Sequence, residues 1–290
     1  MSALRKARLD VAGTSTPLIE AGPEDAREAI VFVHGNPGSS SDWTALVGAV
    51  GELGRAVAFD MPGFGRAAAP PGFAYDVPAY ADFLEEVLRE LGVERAHLVL
   101  HDFGGPFGLQ WGVQHAEVWA SVVLINIGVM PGYQWHSMAK HWRTPLLGEL
   151  MQTWIPRFAW RRAMQKSSPR GLPEEFVEKM YEDYDRATRQ TVLKLYRATP
   201  DPGQTSKELG AATAALQIPA LVIWGAADPF IDVAYAERQS EFFDVQELVI
   251  LKHSSHWPFQ DDPERVKQAI LPFLHEQLGA AQGARPRTGV

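Results

Sequence analysis

Short, almost uninterrupted apolar runs alternate with longer amphipathic stretches through most of this chain. Ala29–His34 and Ala56–Asp60 are four- to six-residue hydrophobic blocks, and each ends in Gly/Pro-rich punctuation: Gly35-Asn36-Pro37-Gly38 after the first, Met61-Pro62-Gly63-Phe64-Gly65 after the second. Runs this short, apolar at consecutive positions and closed by turn residues, predict strands buried on both faces. Residues 80–91 repeat apolar positions at helical spacing. Three further pieces follow: a strand over 95–101, a helix over 104–115 and a strand over 121–127. Residues 219–224 and 246–251 predict the last two strands, and 263–278 a closing helix. Strands alternating with helices predict a mostly parallel central sheet flanked by helices, an α/β fold.

The alternation stops between residues 128 and 215. Strand signals disappear there, Trp, Tyr, Met and Arg become dense on helical spacing, and Pro131, Pro145, Pro156, Pro169 and Pro173 interrupt them. The expected organisation is a core of residues 1–127 and 216–278, with a helical cap at 128–215 roofing the carboxyl ends of the strands, where open parallel sheets bind ligands. Residues 279–290 are rich in Gly, Ala, Arg and Pro and are expected to be a disordered tail.

Composition narrows the partners. At 290 residues and 46% apolar the chain is long enough to bury a full core, whether as one domain with an insertion or as two. A net charge of −8, with no block of basic residues, argues against nucleic acid and membrane surfaces. The absence of cysteine excludes disulfides and thiolate metal sites. The N-terminus has no apolar signal core, so a cytoplasmic enzyme is expected; a homodimer is left open.

Chemistry concentrates at His101-Asp102-Phe103-Gly104-Gly105, between the strand at 95–101 and the helix that follows. A sharp strand-to-helix turn can hold one side chain above a sheet as a nucleophile, usually serine; here it is Asp102. An ionised carboxylate needs no base to attack a saturated electrophilic carbon, and leaves an ester intermediate. Alone, the pentapeptide also suits the less favoured reading of an aspartate capping the next helix. Two later loops change the balance. Asp228 follows the strand at 219–224 in Trp224-Gly225-Ala226-Ala227-Asp228, and His256 lies in His256-Trp257-Pro258-Phe259-Gln260, ahead of the closing helix. Nucleophile, acid and base thus come in order, and His253 is the poorer choice of histidine.

With these motifs the chain resembles the α/β-hydrolase superfamily, within it the branch of epoxide hydrolases and haloalkane dehalogenases, over roughly residues 30–278. The matching segments are His34-Gly35-Asn36-Pro37, Asp60–Gly65, His101–Gly105, Trp224–Asp228 and His256–Pro263. The resemblance implies an α/β-hydrolase fold with a cap, no metal or organic cofactor, a cis peptide before Pro37, and an oxyanion hole from the backbone N–H groups of Asn36 and Phe103. It implies that Asp102 forms the ester and that His256, oriented by Asp228, activates water to release it. The family's other acid position falls at Asn126, which cannot serve.

The leaving group separates the branches. Tyr196, in Leu195-Tyr196-Arg197, resembles the second of the two cap tyrosines with which epoxide hydrolases protonate the ring oxygen. The first has no counterpart in residues 135–150; Tyr133 lies just ahead, and His136, His141 and Trp142 are polar stand-ins. Haloalkane dehalogenases use an indole directly after the nucleophile together with an asparagine. Asn36 is present, but Phe103 has no donor. The expected reaction is therefore hydrolysis of a small lipophilic or aromatic epoxide by water, with haloalkane dehalogenation the alternative. An esterase would want a serine at 102, and a non-catalytic member would be expected to lack a triad residue. His34, Tyr133, His141, Trp142 and Trp257 are the candidate substrate contacts, and Trp43, Trp135 and Trp154 further apolar lining.

Overall fold

The computed structural model describes residues 3–283, with side chains described through Gly279. In chain order the main elements before the insertion are β1 (Arg5–Val11), β2 (Thr14–Ala21), β3 (Glu28–Val33), α1 (Thr44–Val50), β4 (Arg55–Phe59), α2 (Val77–Glu90), β5 (Arg95–His101), α3 (Gly104–Gln114) and β6 (Trp119–Ile125). The insertion contributes α4 (Ser137–Arg143), α5 (Leu147–Thr153), α6 (Arg157–Ser167), α7 (Glu174–Asp183), α8 (Arg186–Ala198) and α9 (Pro202–Leu216). After it come β7 (Pro219–Gly225), α10 (Ala234–Glu237), β8 (Asp244–Leu251), α11 (Pro258–Asp261) and α12 (Pro263–Gly283).

One eight-stranded sheet runs in the order β1-β2-β4-β3-β5-β6-β7-β8. Its last six strands pair in parallel, while β2 pairs antiparallel with β4 and with β1. Every residue of β4 and β6 is buried, as expected of strands covered on both faces. The β1–β2 hairpin was not legible in the apolar pattern. Its outer strand is polar and largely exposed, which suits a sheet edge, and it turns through Ala12-Gly13 with both φ angles positive.

Topology fixes where the site lies. From β3 the chain passes to β4 on one side and then crosses to β5 on the other, so the loops leaving β3 and β5 diverge. The crevice at such a switch point, outside the strands' carboxyl ends, is where open α/β sheets bind ligands. The insertion leaves the sheet after β6 and rejoins at β7, its hydrogen-bonded neighbour. Helix α8 buries Thr188, Val192, Leu195 and Tyr196, a stripe at helical spacing that turns Tyr196 inward. Asp185 fixes the start of that helix by accepting the Thr188 N–H at 2.9 Å.

Helix α12 runs five residues past the expected end at 278, so residues 279–283 belong to a helix rather than a tail. Ala280, Ala281 and Gln282 supply the helix propensity. Residues 284–290 of the expected tail lie outside the described residues.

Candidate active site

Asp102 sits at the tip of the β5–α3 turn with φ +49°, a left-handed backbone that short polar side chains tolerate better than most. This conformation turns the carboxylate away from the helix and toward the β3 loop. There the Asn36 N–H donates to Asp102 Oδ1 at 2.6 Å. The Asn36–Pro37 peptide is cis, and Gly35 lets the two turns touch: a Cβ there would collide with the Asp102 carboxylate and lie 2.7 Å from the Phe103 nitrogen.

His256 stands on the other side of the carboxylate, its Nε2 3.5 Å from Asp102 Oδ2 and its Nδ1 2.7 Å from Asp228 Oδ2. Asp228 is fully enclosed, and its other oxygen accepts the N–H groups of Phe230 and Ile231 at 2.8 and 3.2 Å. Burial alone would raise both carboxylates. For Asp102 the hydrogen bond and charge of His256 outweigh burial, and for Asp228 the charge and hydrogen bond of His256 do, so both stay below the usual range. Burial pulls His256 down, yet the two flanking carboxylates push it up to about 10. The resting site at neutral pH is an imidazolium between two carboxylates.

Two residues that the motifs did not single out as supports hold this arrangement. Asn126, also left-handed at φ +47°, donates from Nδ2 to Asp228 Oδ2 at 2.8 Å and accepts the Gly225 N–H at 2.8 Å. The family's other acid position thus carries an amide that braces Asp228. His101, held neutral by burial at about 3, donates from Nε2 to the His256 carbonyl at 2.8 Å.

Above the carboxylate lies an apolar cavity of about 140 Å³ between the strand ends and the insertion. Asn36, Asp102, Phe103 and His256 form its floor; Tyr133, Trp135, His136, Trp142 and Tyr196 come from the insertion side. Tyr196 is buried against Phe103, Trp135 and Trp142, with ring centroids 5.1, 4.7 and 5.3 Å away, and its hydroxyl accepts from Asn36 Nδ2 at 3.4 Å. Burial holds the phenol well above its ordinary range, so it keeps its proton. Tyr133 commits its hydroxyl hydrogen to the Phe230 carbonyl at 3.3 Å. His136, kept neutral by burial, accepts the Ala139 N–H on Nδ1 at 3.3 Å, which leaves its proton on Nε2. Trp257 lines the cavity with its indole nitrogen buried and unpartnered among the described residues.

Four expectations about the lining fail. His34 is not in the cavity wall; its ring is a strut, Nδ1 donating to Gly35 O and Nε2 accepting from Met61 N, each at 2.9 Å. His141 is exposed, because the α4 stripe that faces the cavity is Met138 and Trp142. Trp43 packs beneath the site against Phe32 and Phe259, and Trp154 is 74% exposed. For His141 and Trp154 the cause is that sequence spacing gives no helical phase in the insertion, whereas His34 and Trp43 belong to the core beneath the cavity. Among the described residues no group of three or more His, Asp or Glu is placed to hold a metal ion.

The alpha/beta hydrolase family profile matches residues 30–269, and the chain belongs to that family. It is 25% identical to a cis-3-alkyl-4-alkyloxetan-2-one decarboxylase of Xanthomonas campestris, covering 92% of this chain and 95% of that protein. It is 23% identical to epoxide hydrolase 2 of Caenorhabditis elegans, over 89% of this chain and 76% of the other. Among solved structures, the haloalkane dehalogenase DbeA of Bradyrhizobium elkani superposes with a TM-score of 0.83 at 24% identity, covering 96% and 100% of the two chains.

Proposed function

We propose that the protein hydrolyses lipophilic epoxides to diols through an ester on Asp102. The observation that carries this reading is an ionised carboxylate at the turn tip, facing a neutral phenol across an apolar cavity. Asp102 Oδ1 is held by the Asn36 N–H, so Oδ2, which faces His256 at 3.5 Å, is the oxygen that attacks a ring carbon. As that C–O bond forms, the ring C–O bond breaks, and the departing oxygen takes the Tyr196 proton, with the His136 Nε2–H as a second donor. The imidazolium of His256 then restores the Tyr196 proton, and the neutral imidazole so formed takes a proton from water as that water attacks the ester carbonyl. The oxyanion on Oδ1 meets the N–H groups of Asn36 and Phe103, and collapse releases the diol and restores the carboxylate. On this reading the helical insertion is the cap that supplies the acid, and the sheet supplies the rest.

A halide would need other donors. The unpartnered Trp257 indole N–H in the cavity wall, with the Asn36 amide nearby, favours haloalkane dehalogenation as the second reading. The oxetan-2-one named for the Xanthomonas relative is another strained oxygen ring and belongs in the same test.

His256→Ala removes the water activator but not the nucleophile, so the ester should accumulate. Intact-protein mass spectrometry after incubation with epoxides, bromoalkanes and a dialkyl oxetan-2-one then distinguishes the readings. An epoxide adds its whole mass, whereas a bromoalkane adds only its alkyl group. Peptide mapping should place the adduct on Asp102. Adducts from bromoalkanes alone would replace the epoxide reading with the second one, and absence of any adduct on Asp102 would end both.

A further inference from the structure

The insertion carries a second surface, on the outer side of α5 and α6. Leu146, Leu150, Trp154 and Phe158 recur at intervals of four and are 84, 72, 74 and 74% exposed. The Leu150 N–H bonds the Leu146 carbonyl, so these two stand one turn apart on one face, and the exposed Met151 lies beside them. Single exposed apolar residues are ordinary, but a run of large ones is a contact surface without its partner. Helix α6 also walls the cavity through Trp160 and Met164, beside Met138 and Trp142 of α4, and Met138 is 44% exposed. On α6, therefore, Phe158 faces out while Trp160 and Met164 face the cavity.

Charge identifies the partner. Between Ser137 and Arg170 cations outnumber acids seven to one, in a chain whose net charge is −8. Arg157, Arg161 and Arg170 are paired with acids of the neighbouring elements, whereas exposed Lys140, Arg162 and Lys166 make no ion pair among the described residues. We propose that this face docks on an anionic lipid bilayer, with Leu150, Trp154 and Phe158 entering the interfacial zone and the free cations meeting lipid phosphates. A two-fold dimer through this face would set the same cations against their own copies, while an anionic leaflet complements them. The expectation against membranes came from net charge, which averages over a cationic insertion and an acidic core. The proposal is independent of which electrophile Asp102 attacks.

The full-length protein should sediment with vesicles of phosphatidylcholine and phosphatidylglycerol, and roughly tenfold or more weakly with phosphatidylcholine alone. The triple variant Leu150→Ser, Trp154→Ser, Phe158→Ser should lose that binding while keeping its circular dichroism and thermal midpoint, because all three side chains are exposed. Absence of binding to the anionic vesicles overturns the proposal, as does binding that survives the triple variant or ignores lipid charge. Sedimentation equilibrium without lipid covers the other occupant: a dimer dissociated by the triple variant would assign the crest to a second copy of the chain instead.

Discussion

Asp102→Asn imitates the charge state of the ester without any substrate, which makes the timing of catalysis measurable at equilibrium. In the resting protein His256 is held at about 10 by Asp228 at 2.7 Å and Asp102 at 3.5 Å. The substitution keeps the shape of the side chain and deletes one unit charge 3.5 Å from Nε2. At an effective dielectric near 20 that charge is worth about 5 kcal/mol to the imidazolium, or roughly three and a half pH units. His256 should then titrate at roughly 6.5 in the variant. Histidine-selective NMR between pH 5 and 11 reads this directly, with the His256 resonance identified by its loss in His256→Gln. A variant value within one pH unit of the wild-type value would refute the reasoning. The expected shift means that His256 is an acid until Asp102 is esterified and a base afterwards, so water is not activated before there is an ester to attack.

Tyr196→Phe should slow adduct formation from an epoxide by ~100-fold to 10,000-fold and leave ester hydrolysis unchanged; rapid-quench mass spectrometry separates the steps, and an unslowed first step would remove Tyr196 as the acid. Asn126→Leu strips a partner from Asp228, leaves the buried Gly225 N–H unpaired and forces a bulky residue to φ +47°. The expected loss is about 3 kcal/mol in urea unfolding, and a loss under about 1 kcal/mol would contradict the bracing role. Stability should also be greatest near neutrality. The raised His256 stabilises fully below its unfolded value and loses this as pH climbs toward 10, whereas the depressed His34, His101, Asp102 and Asp228 lose theirs as pH falls. Thermal midpoints from pH 4 to 10 test this, and an alkaline limb unchanged in His256→Gln would contradict it.

The sheet was legible because its grammar is local. Residues 95–101 form β5 with the predicted bounds, and the helix after it begins at Gly104 as expected, since apolar runs end at turn residues within a few positions. The same locality placed Asp102, Asp228 and His256 at strand ends, and the sheet then brought them together. The edge hairpin of β1 and β2 escaped because pairing, not burial, holds a polar strand such as Arg5–Val11. In the insertion, a helix shows which residues share a face but not which face looks inward. Trp142 and Trp160 turn toward the cavity, while Trp154 and Phe158 turn away. An amide at Asn126 cannot serve as an acid, and its bracing of Asp228 emerges only where β6 and β7 lie side by side.

Because the insertion departs from β6 and returns at β7, its two roots are neighbouring strands, and the sheet would close without it. Asp102, Asp228, His256 and the turn at Asn36 all belong to what would remain, while Trp135, His136, Trp142 and Tyr196 would leave together. Such a layout makes the segment an exchangeable cassette. On the proposed mechanism, exchanging that cassette would change which bond is broken and leave in place the residues that clear the ester. A lineage built this way can test new electrophiles without first dismantling the old chemistry.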